Sequence, residues 1–218
     1  MSRFYRFYHY LAKVLFWILT KRLTVSGLEN IPRHGSAILI SNHLSYSDPA
    51  SIIGYVDRQV YFMTKAEMFN GGFMDWVITK AAAFPVRRGS VDRAAIRHAL
   101  LILARGDLLG VYPEGRRSAD HQVQAARAGV VLLAKQSGVP LIPIAITGME
   151  HIFSRTFPWF GRPVVTMTIG VPFTIADLAA KPATVASRDY LAEQVMARVV
   201  ELLPVQYGGP VQPALSHV

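Results

Sequence analysis

The strongest constraint on the fold is a regular alternation between short apolar runs and amphipathic stretches. Residues 37–41, 108–112 and 141–147 are almost continuously apolar, which is typical of strands buried on both faces of a sheet. Stretches with helical periodicity, such as residues 128–137, lie between such runs. This βαβ pattern predicts an α/β fold, with a mostly parallel or mixed sheet flanked by helices.

The remaining segments fit the same alternation, and no linker or repeat interrupts it. Residues 23–205 are therefore expected to form one domain, preceded by a helix over 1–22 and followed by a flexible tail over 206–218. Active sites in such folds lie beyond the carboxyl ends of the strands. Shorter strands are predicted at 23–26, 60–63, 84–86 and 164–169, helices at 48–56, 90–105 and 188–203, and an apolar helix after the glycine pair 71–72.

Composition and absent motifs exclude several classes of function. The chain has no cysteine, which rules out disulfides, thiolate metal sites and a cysteine acyl-enzyme. Its formal charge of +9 comes mostly from arginine and indicates an anionic partner: nucleic acid, a phosphorylated metabolite or a membrane surface. Nucleic acid is disfavoured, because the cations are not clustered on one helix. Residues 110–115 have the glycine spacing of a phosphate loop but lack its Lys-Ser/Thr pair, which disfavours a nucleotide hydrolase.

The N-terminal segment has the pattern of an interfacial helix. Residues 1–20 are apolar but are interrupted by charged residues, and the uncharged run is too short to span a bilayer. With Arg6 and Lys13 on the opposite side, the pattern predicts a helix lying in the membrane interface. The alternatives are a helix packed on its own domain or pairing in a dimer. The predicted apolar stripe consists of Phe4, Tyr8, Leu11, Leu15 and Ile18.

The strand 37–41 ends at a segment that can hold a general base. His43 is followed five residues later by Asp48, whose carboxylate can hold one ring nitrogen and leave the other free to take a proton. The alternative is purely structural: Ser47 or Asp48 before Pro49 is a good helix N-cap, with His43 as an ordinary loop residue.

Two further strand ends carry polar and basic residues. Glu114, Gly115, Arg117 and Ser118 offer an acceptor, close backbone approach, a fork of donors and a hydroxyl, a set that suits a polyol phosphate. The arginine pair 87–88 likewise comes directly after a predicted strand, at residues 84–86. Each basic residue alone is more often a solvated surface charge, but three strand-end loops together favour a site.

These segments, together with residues 139–143, resemble the four ordered motifs of glycerolipid acyltransferases related to 1-acylglycerol-3-phosphate acyltransferase. The resemblance covers roughly residues 23–170. The departures are Arg87 in place of an acid, Tyr112 in place of phenylalanine and Arg116 in place of threonine. The matching residues are Asn42, His43 and Asp48 in the first motif, Arg88 in the second, Pro113, Glu114, Gly115, Arg117 and Ser118 in the third, and Pro140 and Pro143 in the fourth.

The resemblance implies transfer of a fatty acyl group from coenzyme A or acyl carrier protein to the hydroxyl of lysophosphatidic acid, giving phosphatidic acid. No metal or redox cofactor is implied. His43 would be the base and Asp48 would orient it, while Arg88 and Arg117 would hold the phosphate. The other residues implied to bind substrate are Asn42, Lys65, Glu114, Gly115 and Ser118.

The expected location is a membrane surface, with the protein peripheral and on the cytoplasmic face. Residues 68–83 are apolar enough to line an acyl channel, although core packing explains them equally well. Two alternative functions stay open: acyl transfer to another lysolipid, such as a lyso-aminolipid, or non-catalytic binding of anionic lipid.

Overall fold

The computed structural model describes residues 1–87, 92–118, 123–152, 162–178 and 187–210. The described part of the chain contains one seven-stranded sheet with helices on both faces, so the predicted fold class is confirmed. The strands are β1 (Arg22–Ser26), β2 (Ala37–Ser41), β3 (Val60–Lys65), β4 (Ala83–Val86), β5 (Leu108–Val111), β6 (Leu141–Thr147) and β7 (Val164–Ile169). The helices are α1 (Arg3–Leu19), α2 (Asp48–Tyr55), α3 (Phe73–Lys80), α4 (Arg93–Ala104), α5 (Gly129–Ser137) and α6 (Arg188–Val200).

The sheet is mixed, and its order is β1-β7-β6-β2-β5-β3-β4. Strands β2, β3, β4, β5 and β6 are parallel, whereas β7 runs antiparallel to β6 and β1 pairs in parallel with β7. The carboxyl ends of the five parallel strands therefore meet at one edge of the sheet, which we call the carboxyl edge. The loops at this edge carry the predicted site.

Alternating strand residues fill two cores, one on each face of the sheet. Leu39 packs into a core with α1 and α2, while its neighbour Ile38 packs into the core that α4, α5 and α6 cover. Strands β2 and β6 are buried at every position, which explains their uninterrupted apolar sequence. Strand β7 lies nearer the sheet margin and alternates buried with more accessible positions.

The predicted segments agree with the observed elements except at their ends. Strand β3 continues to Lys65, β5 ends at Val111 and α6 ends at Val200. Residues 90–91 of the predicted helix 90–105 and residues 211–218 of the predicted tail lie outside the described residues. Within the tail, the Tyr207 hydroxyl donates a hydrogen bond to Glu150, so this part of it contacts the domain.

Helix α1 packs on the domain through a stripe of its own, which is different from the predicted apolar stripe. The buried stripe contacts α2 and the start of β3: the amide of Val60 donates to the Tyr5 hydroxyl over 2.8 Å, and His9 Nδ1 lies 2.7 Å from the carbonyl oxygen of Ile53. On the other side, the predicted stripe is exposed at Leu11, Leu15 and Ile18 and half-buried at Phe4 and Tyr8. The buried stripe consists of Tyr5, His9, Ala12, Phe16 and Leu19.

Helix α3 corrects one interpretation of residues 68–83. Within this helix, all of which is described, no side chain is buried, so core packing does not account for its apolar residues. Phe73 is 78% exposed, and Met74 and Trp76 are about half exposed. Among the described residues, no helix is long and apolar enough to cross a membrane.

Candidate active site

The loop after β2 brings His43 against Asp48. The carboxylate of Asp48 is completely buried, and its Oδ2 accepts hydrogen bonds of 2.8 Å from the backbone amides of Leu44 and Ser45. The same oxygen lies 2.8 Å from His43 Nδ1. The five-residue spacing is therefore the length of a turn that wraps around one carboxylate.

This geometry tests the N-cap interpretation of residues 42–48. Among the described contacts, neither Ser47 nor Asp48 caps the first turn of α2 through its side chain, and Asp48 Oδ2 bonds instead to the preceding loop. The N-cap interpretation is therefore wrong for these side chains. Pro49 still serves α2, because a proline at the first turn removes an amide that would lack a partner.

The electrostatics of the pair suit proton transfer. Burial raises the pKa of the Asp48 carboxyl above its ordinary value, and the hydrogen bond and charge of His43 oppose that rise. Because Asp48 holds Nδ1 of His43, Nε2 is the ring nitrogen that remains for accepting a proton. The His43 side chain is 13% exposed, so its ring lies at the site surface rather than deep in the core.

Glu114 and Ser118 join the loop after β5 to the loop after β2. Glu114 is buried, and its Oε1 and Oε2 accept 3.0 Å hydrogen bonds from the backbone amides of His43 and Gln124. The backbone amide of Ser118 donates to the carbonyl oxygen of His43 over 2.9 Å. Both residues therefore hold the loop that carries His43, a positioning role that the sequence did not predict.

Asn42 has a different role from the one predicted. Its side chain is 1% exposed, its Nδ2 donates to the carbonyl of Ile146 over 2.8 Å, and its Oδ1 accepts from the Ile146 amide over 2.9 Å. Asn42 thus continues the β2–β6 pairing through a side chain. Because its amide is buried in these bonds, we correct the prediction that it binds substrate.

Gly115, Arg116 and Arg117 lie in the loop after β5, at the carboxyl edge of the sheet. Gly115 has a φ of +69°, a backbone conformation that favours glycine, and the nearest atoms to a Cβ placed there belong to the Arg127 side chain. The guanidinium of Arg117 lies 3.6 Å from the centroid of the exposed Tyr46 ring. Arg116 is also exposed.

The two other predicted basic residues are Arg88 and Lys65. Arg88 lies outside the described residues, and its neighbour Arg87 is exposed just beyond the end of β4. Lys65 ends β3 at the carboxyl edge, but it is exposed and lies 3.3 Å from Glu67. Among the described residues, no three histidine, aspartate or glutamate side chains converge as a metal site would require.

Sequence reasoning missed an aromatic stack beside the base. The rings of His43 and Tyr112 are stacked with centroids 4.0 Å apart and an interplanar angle of 18°. Phe62 of β3 stacks on Tyr112 from farther away, at 6.1 Å. The available signal was an aromatic residue, Tyr112, directly after an apolar strand and before Pro113. From the sequence alone, this residue was noted only as a departure from a motif.

Comparison with known proteins agrees with this geometry. The Acyltransferase family model matches residues 22–147, which include β1 to β6 and every loop of the candidate site. Two bacterial relatives are called 1-acyl-sn-glycerol-3-phosphate acyltransferase. The one from Bacillus subtilis is 27% identical over 89% of this chain and 96% of its own length. The one from Streptococcus pneumoniae is 26% identical over 80% of this chain and 64% of its own length.

A solved structure extends the likeness to the fold. It is the 1-acyl-sn-glycerophosphate (LPA) acyltransferase PlsC from Thermotoga maritima, with a TM-score of 0.69 and 28% identity. The likeness covers 91% of this chain and 79% of that one. Since the family model spans more than half of the sequence and includes the His43–Asp48 pair, the chain belongs to the Acyltransferase family and is an acyltransferase of the 1-acyl-sn-glycerol-3-phosphate acyltransferase-like kind.

Proposed function

We propose that this protein transfers a fatty acyl group from a thioester to the free hydroxyl of lysophosphatidic acid, giving phosphatidic acid. The observation that carries the proposal is the His43–Asp48 pair, held at the carboxyl edge by a fully buried carboxylate. The activity given in the names of the relatives from Bacillus subtilis and Thermotoga maritima supports the same acceptor. Acyl-coenzyme A and acyl carrier protein both remain proposed donors, since each presents the acyl group as a thioester.

The chemistry needs one proton acceptor that later returns the proton. His43 Nε2 takes the proton from the acceptor hydroxyl while the oxygen of that hydroxyl attacks the thioester carbonyl. The resulting tetrahedral intermediate collapses, the carbon–sulfur bond breaks, and the imidazolium returns the proton to the leaving thiolate. Asp48 keeps Nδ1 bonded throughout and balances the positive charge that His43 acquires. Assistance of this kind contributes about 10²- to 10⁴-fold to a rate.

The loop after β5 provides cations for the acceptor phosphate. Arg117 is stacked on Tyr46, which restrains a long side chain before any ligand arrives, and Arg116 is exposed beside it in sequence. We infer that these two residues, together with Arg88, bind the phosphate. Arg116 and Arg87 add positive charge relative to the motif pattern, so an acceptor with a differently charged headgroup is the second candidate.

An apolar surface on α1 and α3 supports binding at a membrane. The two helices are joined by an edge-to-face contact between Phe4 and Trp76, whose centroids are 5.1 Å apart. Exposed basic residues, including Arg3 and Arg6, flank the surface as anionic headgroups would require. We propose that this surface lies in the lipid interface, on the cytoplasmic face of a membrane. Its members, which we call the apolar surface, are Phe7, Tyr10, Leu11, Val14, Leu15, Trp17, Ile18, Phe73, Met74 and Trp76.

An acceptor and donor panel tests the function directly. Purified protein is given lysophosphatidic acid, a lyso-aminolipid and other lysolipids in vesicles, with each donor type in turn, and esterified product is measured. We expect phosphatidic acid from the wild type and a loss of at least about 10²-fold in His43→Ala, which removes only a half-buried loop side chain. Turnover of another lysolipid alone would contradict the proposed acceptor. Vesicle binding without turnover of any lysolipid would favour the non-catalytic alternative.

A further inference from the structure

The catalytic histidine rests on a column of aromatic rings that rises from the sheet. Tyr112 directly follows β5, and its ring lies nearly parallel to the imidazole of His43 at a centroid distance of 4.0 Å. Phe62 stacks on Tyr112 at the same small interplanar angle of 18°, with the ring centroids 6.1 Å apart. Because strands β3 and β5 are hydrogen-bonded neighbours, the column is fixed to two adjacent strands of the sheet.

Gly110 makes room for the base of this column. It pairs with Phe62 in the β3–β5 register, and a Cβ atom at position 110 would lie 2.1 Å from Cε1 of the Phe62 ring. Since no real Cβ contact is that short, any larger residue would push the ring away from its position. The glycine that resembles part of a phosphate loop in the sequence is therefore required by ring packing.

The Tyr112 ring is oriented so that its face, rather than its polar end, meets the histidine. Among the described contacts its hydroxyl is buried without a hydrogen-bond partner, and so is Oδ1 of Asp48. A buried hydroxyl without a partner costs free energy, so a hydrogen bond made by the hydroxyl does not explain why a tyrosine occupies this position. The aromatic face is electron-rich and attracts a cation placed over it.

We propose that Tyr112 is a positioning residue for the general base, whose ring face stabilises the imidazolium that His43 forms during acyl transfer. The inference rests on the proposed function and adds a second source of stabilisation to the carboxylate of Asp48. A cation held over an aromatic face gains enough to change a rate by roughly 2- to 30-fold. Phe62 and Gly110 act through Tyr112, because they keep its ring parallel to the imidazole.

The charged groups around His43 contact it at atoms other than the ring face. The effect of the Tyr112 ring can therefore be measured separately from theirs. Asp48 faces Nδ1, and Glu114 faces the backbone amide of His43 rather than its ring. Tyr112 itself stays neutral, since burial first and then the charge of Asp48 raise the pKa of its phenol well above the ordinary value. Strand β6 meets this loop through the backbone of Ile146, which carries no titratable group.

Two substitutions at position 112 separate the ring from its hydroxyl. Tyr112→Phe keeps the face, so kcat is expected to stay within about 2-fold of the wild type. Tyr112→Leu removes the face, so kcat is expected to fall by roughly 2- to 30-fold with little change in the acceptor KM. The acidic limb of the pH profile of kcat/KM is expected to move to lower pH in Tyr112→Leu, because the protonated imidazole loses a stabilising contact. Tyr61→Leu on β3 is the matched control, since Tyr61 is a half-buried tyrosine outside the stack.

A measurement without substrate separates this inference from the proposed function. In the NMR spectrum, the His43 imidazole resonances, identified by their loss in His43→Ala, are expected to change over at lower pH in Tyr112→Leu than in wild type or Tyr112→Phe. An equal loss of kcat in Tyr112→Phe and Tyr112→Leu would overturn the inference, because the hydroxyl would then carry the role. Unchanged His43 resonances in Tyr112→Leu would overturn it too, whether or not lysophosphatidic acid is the acceptor.

Gly110→Ala tests the base of the column without touching the site. The added methyl group is expected to displace Phe62 and lower kcat in the same direction as Tyr112→Leu. Gly129→Ala, at the first position of α5 with no atom within 4 Å of the added Cβ, is the control and is expected to keep wild-type kcat. Wild-type kcat in a folded Gly110→Ala protein would show that the column does not position His43.

Discussion

At the scale of single residues, one oxygen of Asp48 organises the entire loop that carries the base. Its Oδ2 accepts from two backbone amides and contacts His43 Nδ1, so the same atom shapes the turn and orients the ring. A carboxylate suits both tasks because it accepts several hydrogen bonds and carries charge. An amide at this position keeps one acceptor but loses the charge.

Asp48→Asn therefore separates the structural task from the electrostatic one. We expect kcat to fall by about 10²- to 10⁴-fold, because the imidazolium loses its counter-charge and Nδ1 loses its fixed acceptor. The thermal midpoint is expected to change little, since the amide oxygen can still accept from Leu44 or Ser45. The measurement is steady-state turnover on vesicles together with a circular dichroism melt.

The matched control is Asp177→Asn, which makes the same change in an exposed turn where Asp177 bonds only to Thr174 among the described contacts. It is expected to leave kcat unchanged. Wild-type turnover in Asp48→Asn would show that the buried charge has no part in catalysis.

The contact predicted correctly from sequence is one whose partners are close in the chain. His43 and Asp48 are five positions apart, and their contact lies within a single turn. The partner of Asn42 is 104 positions away, and the partner of Glu114 in the loop after β2 is 71 positions away. Nothing local shows that these side chains bond to backbone, so both resembled substrate ligands.

At the scale of elements, α4 begins at a capping residue that also fixes the end of the preceding loop. Asp92 Oδ1 accepts from the amides of Ala94 and Ala95, and its Oδ2 accepts from the amide of Arg87. These hydrogen bonds favour the ionised form, so they lower the pKa of the Asp92 carboxyl. In the sequence, Arg87 and Asp92 flank Arg88, which we propose binds the acceptor phosphate.

The stability contribution of this cap is expected to depend on pH. Because the folded pKa is below the unfolded value of 3.8, the contribution is fully present above 3.8 and is lost as pH falls through the folded pKa. Asp92→Asn keeps an acceptor oxygen but does not titrate. We expect the thermal midpoint of wild type to exceed that of Asp92→Asn near neutral pH, by no more than the few degrees typical of a cap, and the gap to close in acid. A gap that stays constant down to low pH would contradict the assignment.

Helix α1 shows where an element was predictable and its orientation was not. Its periodicity and length were sufficient to predict a helix, and the structure has one over Arg3–Leu19. The helix is apolar on two flanks, however, and both stripes satisfy helical spacing. The flank that packs is decided by contacts with Val60 and Ile53, more than 40 residues away in sequence.

At the scale of the whole molecule, β7 and β1 run opposite to the other five strands. They divide the sheet into a parallel portion and a reversed pair. The βαβ alternation predicted the five parallel strands, because each is reached through a helix or a long connection. The antiparallel step from β6 to β7 depends on long-range pairing that periodicity does not report. The candidate site residues that the structure describes lie at the parallel portion of the sheet.

Membrane binding is expected to depend on one side of the molecule. Leu11→Glu places charge on the apolar surface and removes apolar contact area, so vesicle binding is expected to fall by about tenfold or more at every salt concentration. Leu101→Glu is the matched control, because Leu101 on α4 is 51% exposed against 46% for Leu11 and lies on the opposite face of the sheet. Vesicle co-sedimentation measures both. Equal losses in the two variants would show that no particular face of the protein meets the lipid.

The packing of α1 on α2 and β3 also has a kinetic consequence. Because Tyr5 and His9 bind the inner side of this helix to the domain that carries His43, the proposed lipid-facing side cannot turn independently of the catalytic edge. A molecule resting on that side would meet successive acceptors by lateral movement in two dimensions, without returning to bulk water. Its velocity would then follow the mole fraction of lysolipid in the bilayer and would fall on dilution with inert phospholipid, even when the total lysolipid in the assay is constant.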